Sequence, residues 1–152
     1  MADVRVTIGR GSRIPGTEAG IQVNTFGLER LLEGITGEAL EPILHQALEP
    51  SFEEAHGNWP VLTGASRDSM RVETIEVGQR MARVALLVGG DQLKSDPRNP
   101  SGKDYAPFIE YNGTPTTPPG TLSYAIHSHE QEMRDTIHAG VSLLVQELTG
   151  LR

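Results

Sequence analysis

His127, His129 and Glu130 form the only cluster of histidine and carboxylate in the chain. Zinc sites on helices take their histidines four positions apart, which sets both rings on one face. Here the spacing is two, so on a helix the rings diverge by about 200°. That spacing argues for a solvated start of a helix rather than a metal centre. His45 and His138 fall on the polar flanks of apolar stripes and read as ordinary surface residues. Ser66 and Ser69, beside Arg67 and Asp68, have no histidine at a local spacing that would activate a hydroxyl. The strand–Gly-x-Ser-x-Gly–helix elbow of serine hydrolases is absent as well. Gly9-Arg10-Gly11-Ser12 lacks the lysine and the following helix of a phosphate-cradling loop. With no cysteine, thiolate chemistry, zinc–sulfur sites and disulfides are excluded. Glu110 stands among Phe108, Ile109 and Tyr111 and is expected to be buried with a partner. Arg67 is the natural candidate, in a structural pair, since no second titratable group converges on Glu110. No cofactor is implied.

Length and charge narrow the classes further. At 152 residues the chain fits one domain with a real core. A hydrophobic fraction of 37%, with 5% aromatic, suits a domain that buries part of its surface against copies or partners. Met1 to Arg5 carries no basic stretch followed by an apolar run, and no segment approaches the length of a membrane span. A soluble protein made in a cytoplasm is expected. The net charge of −7 is uneven. Residues 25–57 hold seven Glu against Arg30 alone, and residues 122–148 hold four acids against Arg134. Residues 58–121 carry seven charges of each sign. The acidity therefore belongs to two helical segments, and no basic patch exists to grip phosphates.

The elements follow from periodicity. Val4, Val6 and Ile8 alternate with polar residues as in a strand, residues 9–20 read as a loop, and Ile21-Gln22-Val23 forms a second short strand that could pair with the first. From residue 24 or 25 the period changes. Leu28, Leu32, Ile35, Ala39, Ile43, Ala47, Phe52 and Ala55 mark one face of a long helix, widened by Leu31, Leu40, Leu44 and Leu48. Pro42 and Pro50 predict that it is kinked or segmented. Arg71 to Val77 and Met81 to Val88 flank Gly78-Gln79, the pattern of an antiparallel hairpin. Residues 89–103 read as an exposed flexible loop, and Thr114 to Thr121 as extended. Leu122, Ile126, Met133, Ile137, Val141, Leu144 and Leu148 stripe a C-terminal helix, capped by Thr121 or Ser123 and ended by Gly150. The sum is an α+β domain: a small antiparallel sheet packed against a long, kinked N-terminal helix and a long C-terminal helix. Residues 1–24 form a strand pair or arm, and residues 25–152 a single domain with a flexible loop at 89–104.

The stretch from Trp59 to Met70 is the hinge between the helical regime and the hairpin. Pro60 and Gly64 end the first, Thr63 is placed to cap a short helical turn, and Trp59, the only tryptophan, is placed to bury its ring beneath it.

Two blocks carry a resemblance. Pro60-x-x-Thr63-Gly64-x-x-Arg67-x-Ser69, followed by Tyr105-Ala106-x-x-Ile109-Glu110-Tyr111-x-Gly113-Thr114, resembles a family of tailed-bacteriophage neck proteins, called minor tail, head–tail joining or tail-completion proteins. The likeness covers residues 25–149, and the order of elements agrees with it. The family usually has an acidic residue where Leu62 stands, a leucine where Ser66 stands, no residue matching Asn112, and Pro-Phe where Pro119-Gly120 stands. The resemblance implies a non-enzymatic structural subunit of the virion, at the head–tail junction. It would form a homo-oligomeric ring, of six copies or of twelve against a portal-like ring, and contact neighbouring neck and tail proteins. Genome DNA would pass through the lumen without sequence-specific binding, repelled by acidic helices. Which ring of the neck it would be stays open. The rival class is a small metal-dependent hydrolase using His127, His129 and Glu130.

Overall fold

The computed structural model describes residues 3–10, 17–24 and 35–149. Strands β1 (Asp3–Arg10) and β2 (Thr17–Asn24) pair antiparallel, with Asp3 opposite Asn24 and Arg10 opposite Thr17. The N-terminal strands are therefore longer than the alternation predicts: residues assigned to the intervening loop, among them Gly9, Arg10 and Thr17 to Gly20, lie in the ladder. β3 (Arg71–Val77) and β4 (Met81–Val88) form the predicted hairpin. Its connection is three residues rather than two, and the register shifts within β3, between Thr74 and Glu76, as at a bulge. β2 also pairs with β4, giving one four-stranded antiparallel sheet in the order β1-β2-β4-β3.

Helix α1 (Gly37–Asn58) crosses this sheet against β3 and β4. The part of the long helix expected N-terminal to Ile35 lies outside the described residues. Thr36 caps α1, its hydroxyl accepting the Ala39 amide at 3.2 Å. The Gly37 amide donates to the Gly78 and Gln79 carbonyls, which ties the start of α1 to the tip of the hairpin. α1 runs through Pro42 and Pro50 as a single helix, not as separate segments. Its buried line is also offset from the predicted one. Leu40, Leu44, Ala47, Leu48, Ser51 and Ala55 are buried, whereas Ala39, Ile43 and Phe52 are only half-buried. The larger leucines, predicted to widen the stripe, form its centre, because they fill the space between α1 and the sheet. Ala82, Val84, Leu86 and Val88 of β4 alternate into the same core.

Two short helices follow the hinge and the hairpin: α2 (Ala65–Asp68) and α3 (Asp91–Lys94). The segment 89–103, expected to be an unsupported flexible loop, is anchored at both ends. Leu93 is fully buried, and the buried Asn99 amide donates to the Leu93 and Lys103 carbonyls at 2.8 and 2.9 Å. Helix α4 (Ala106–Asn112) then ends at Gly113. Thr114 to Thr117, expected to be extended, instead closes a tight turn through a bridge between those two residues.

The single C-terminal helix of the sequence reading is two helices, α5 (Thr121–Ser128) and α6 (Glu130–Thr149), separated at His129. Neither Thr121 nor Ser123 caps the first of them: Gly120 is the N-cap residue and supplies no side chain. Leu122, Ile126, Met133 and Ile137 are buried as the stripe predicts, Val141 and Leu144 are half-buried, and Leu148 is exposed. Both helices contribute to one core despite the break at His129. Gly150 lies outside the described residues. The architecture is α+β, with α1, α5 and α6 packed together over the sheet.

Candidate functional site

The two sequence blocks meet at Gly89, the residue that follows β4. From the first block, the Ser69 hydroxyl accepts the Gly89 amide at 2.8 Å and donates to the Ser66 carbonyl at 2.6 Å. From the second, Ala106 closes on the other side: a Cβ on Gly89 would stand 2.8 Å from the Ala106 Cβ and 2.3 Å from Asp104 Oδ1. With φ at +82° as well, only glycine fits. Asp104 completes the clamp, accepting from the Gly90 amide at 2.9 Å and the Ala106 amide at 3.2 Å. Arg71 donates through one nitrogen to the Ser69 and Gly89 carbonyls, and through Nε to Glu73 at 2.8 Å. The serine, aspartate and arginine side chains here tie backbone to backbone.

The hinge is built in the same way. Trp59 is 2% exposed, and its indole N–H donates to the buried Ser66 hydroxyl at 2.9 Å. Pro60 is buried beside it. Gly64 has φ of +84° and is itself the N-cap residue of α2. Thr63, expected to cap this turn, accepts the amide two residues on, that of Ala65, at 3.4 Å, although Gly64 holds the N-cap position itself. Arg98 joins the hinge to the following segment, holding Asp68 and Asp96 at 2.7 Å each. These hydrogen bonds keep both carboxyls below the usual range for aspartate and raise the guanidinium.

The expected pair of Arg67 with Glu110 does not form. Arg67 Nε is buried without a hydrogen-bond partner, and its ionic neighbour is Asp68, at 3.8 Å. Glu110 is buried at 3% exposure and faces the N-terminus of α5. It accepts the Leu122 amide at 2.9 Å, and the Ser123 amide and hydroxyl at 3.0 Å each. Its own carbonyl takes the Gly120 amide at 2.7 Å. A buried carboxylate can be held by amides and a helix dipole as well as by a cation, and here the amides win. α4 therefore substitutes for the missing cap of α5. Its buried face is Ala106, Ile109 and Glu110, while Phe108 and Tyr111, three residues apart on the same helix, are 65% and 55% exposed. Tyr105 packs against the core, and the Gly113 amide returns to the Ile109 carbonyl to end the helix.

The three residues of the rival metal reading go separate ways. His127 is exposed. His129 lies between two carboxylates, Nε2 at 2.7 Å from Glu54 and Nδ1 at 2.9 Å from Glu132. Glu132 and then Glu54 hold its proton, raising the imidazolium above its ordinary range despite partial burial. Glu130 pairs with Arg134 at 2.7 Å, which lowers its carboxyl. Among the described residues no group of three or more His, Asp or Glu is arranged to hold a metal ion.

One polar trio escaped the sequence reading. His45, taken as a surface residue, is half-buried and hydrogen-bonds the Thr74 hydroxyl at 2.8 Å, and that hydroxyl donates to Glu41. The trio joins α1 to β3 through this one hydroxyl. The i,i+4 spacing of Glu41 and His45 was visible in the sequence, but the strand residue that joins them was not. The open cleft lined by Gly57, Asn58, Thr116 to Thr121 and Tyr124 contains no titratable group apart from the tyrosine. No helix among the described residues is long and apolar enough to cross a membrane. Comparison with protein-family models, curated proteins and solved structures finds no match.

Proposed function

We propose that this chain is a structural subunit of the head–tail connector of a tailed bacteriophage. It would form a ring around the DNA channel that joins tail to head, in a tail-completion or head–tail joining role. The observation that carries the reading is how the two blocks use their residues. Ser69 and Glu110, with Asp104 just ahead of the second block, are consumed by backbone amides, and the helix that carries Glu110 turns Phe108 and Tyr111 outward. Such a block makes a rigid platform with aromatic residues available to a neighbour. Val61 and Leu62, at 56% and 74% exposure, add apolar surface at the hinge. Exposed Glu38, Glu49 and Glu53 on α1 give that helix an acidic surface, suited to a conduit that must not hold DNA.

The hydrolase reading needs His127, His129 and Glu130 to act together, and each has a different environment. A cryo-electron-microscopy map of the head–tail junction tests the proposal: this chain should appear as a closed ring around the channel. Its absence from purified particles, with near-stoichiometric zinc or manganese in the free protein, would overturn it in favour of the enzyme.

A further inference from the structure

We infer that Asn112-Gly113 is a site of spontaneous deamidation, that the last turn of α4 holds it closed, and that its reaction unseats the cap of α5. Of the four asparagines, Asn112 alone precedes glycine. Asn99 precedes a proline, which has no amide proton to give up, and Asn24 and Asn58 precede the bulkier Thr25 and Trp59. In an asparagine–glycine pair the backbone nitrogen of the glycine attacks the side-chain carbonyl carbon of the asparagine. The new C–N bond closes a succinimide ring, and ammonia leaves, carrying the proton that the backbone nitrogen gave up. Water then opens the ring at either carbonyl, leaving aspartate or isoaspartate. No other reactant is needed.

Asn112 is exposed at the end of α4, yet in the closed helix both reacting groups are occupied. The Gly113 amide donates its proton to the Ile109 carbonyl at 2.8 Å, and the Asn112 side-chain nitrogen donates to the Phe108 carbonyl at 3.2 Å. Gly113 is buried against the turn that follows: a Cβ on it would stand 2.6 Å from the Thr117 carbonyl oxygen and 2.7 Å from the Pro119 nitrogen. The attack therefore requires the last turn of α4 to open, and its rate is the intrinsic rate scaled by the open fraction. Isoaspartate routes the backbone through the former side chain and lengthens it by one atom, beside the Thr117 to Pro119 backbone that already closes on Gly113. Glu110, two residues before Asn112, then loses its fixed position facing the Leu122 and Ser123 amides. Either product also adds a negative charge at the C-terminal end of α4, where the helix dipole opposes it. None of this depends on assembly into a ring.

In the test, the full chain is aged in mildly alkaline buffer, either folded or in guanidinium chloride. Conversion at each asparagine is followed by peptide mass spectrometry with isoaspartyl methyltransferase labelling. In the unfolded chain Asn112 should convert ahead of the other asparagines. In the folded chain it should convert at least about tenfold more slowly, as an opening populated about one part in ten or less requires. Glu110→Ala, which removes the tie between α4 and α5, should speed the conversion in native buffer. If that variant fails to fold, the comparison in guanidinium chloride still decides the gate. Equal rates in the folded and unfolded wild-type chain would overturn the gate, and an unfolded chain in which Asn112 outlasts the other asparagines would overturn the site. The converted chain, refolded and separated by its extra charge, should melt below the unconverted one; equal melting temperatures, or an unchanged rate in a folded Glu110→Ala variant, would overturn the link to the cap of α5.

Discussion

The Glu110 carboxylate holds Ser123 twice, through its backbone amide and its hydroxyl, both at 3.0 Å to the same oxygen, while its second oxygen takes the Leu122 amide. One side chain on α4 thus performs the capping that α5 does not perform for itself. Glu110→Ala should leave these amides without an acceptor and cost about 2–4 kcal/mol, and Glu110→Gln, which keeps one oxygen, about half of that. Urea unfolding measures both. Because no cation among the described residues contacts Glu110, the loss should barely change between low and high salt. A double-mutant cycle with Arg67→Ala should show no coupling.

Among the described residues, Ser66 supplies the acceptor for the buried Trp59 indole nitrogen. Ser66→Ala should strand that donor and destabilise the fold by about 1–3 kcal/mol. Adding Trp59→Phe to Ser66→Ala should cost less than the two single changes summed, since the orphaned donor leaves with the indole. Additive losses in thermal unfolding would mean that the bond contributes nothing.

Gly64 and Gly57 make a contrast within one short region. Gly64 has φ of +84° and the guanidinium of Arg98 stands 3.2 Å from where a Cβ would sit, so Gly64→Val should cost about 1–3 kcal/mol. Gly57 lies in the last turn of α1 with nothing near its absent side chain, so Gly57→Ala should be neutral or stabilise by up to about 1 kcal/mol. Equal melting temperatures for the Gly64→Val variant and the wild-type chain would refute the hinge assignment.

His129 predicts a direction for pH dependence. Both ring nitrogens face carboxylates, an arrangement that only the protonated ring satisfies with two donors. Its folded pKa is raised, so its contribution is complete below the unfolded value of about 6.5 and is lost as pH rises through the higher folded value. Wild-type stability should therefore fall across that alkaline-going window, and His129→Gln should flatten the fall. A histidine titration by NMR reads the shift directly. An ordinary or lowered pKa would contradict the geometry.

Local signals in the sequence were enough for the features that neighbouring residues determine. Alternation on both sides of Gly78 fixed the hairpin, and the 3.6-residue period placed Leu40, Leu44, Ala47, Leu48 and Ala55 on a helix that faces the core. Trp59, alone among polar and small residues at the end of that helix, could be assigned to the core from its size. Gly64 could be assigned a special conformation because it stands four residues after Pro60, where the helical period has ended and a new one starts.

The tertiary structure alone decided how distant polar groups pair. Arg67 and Glu110 each looked like half of an ion pair, yet the partners that bring Glu110 to rest are amides twelve and thirteen residues further on. Charge is visible in a sequence, whereas a helix N-terminus that lacks its own cap becomes an acceptor's target only when the chain has folded. The same holds for His129, whose partner Glu54 lies on the neighbouring helix α1, and for Asp104, which clamps Gly90. Thr74 shows it most simply: its hydroxyl sits between His45 and Glu41 because β3 packs on α1, and no spacing along the chain encodes that approach.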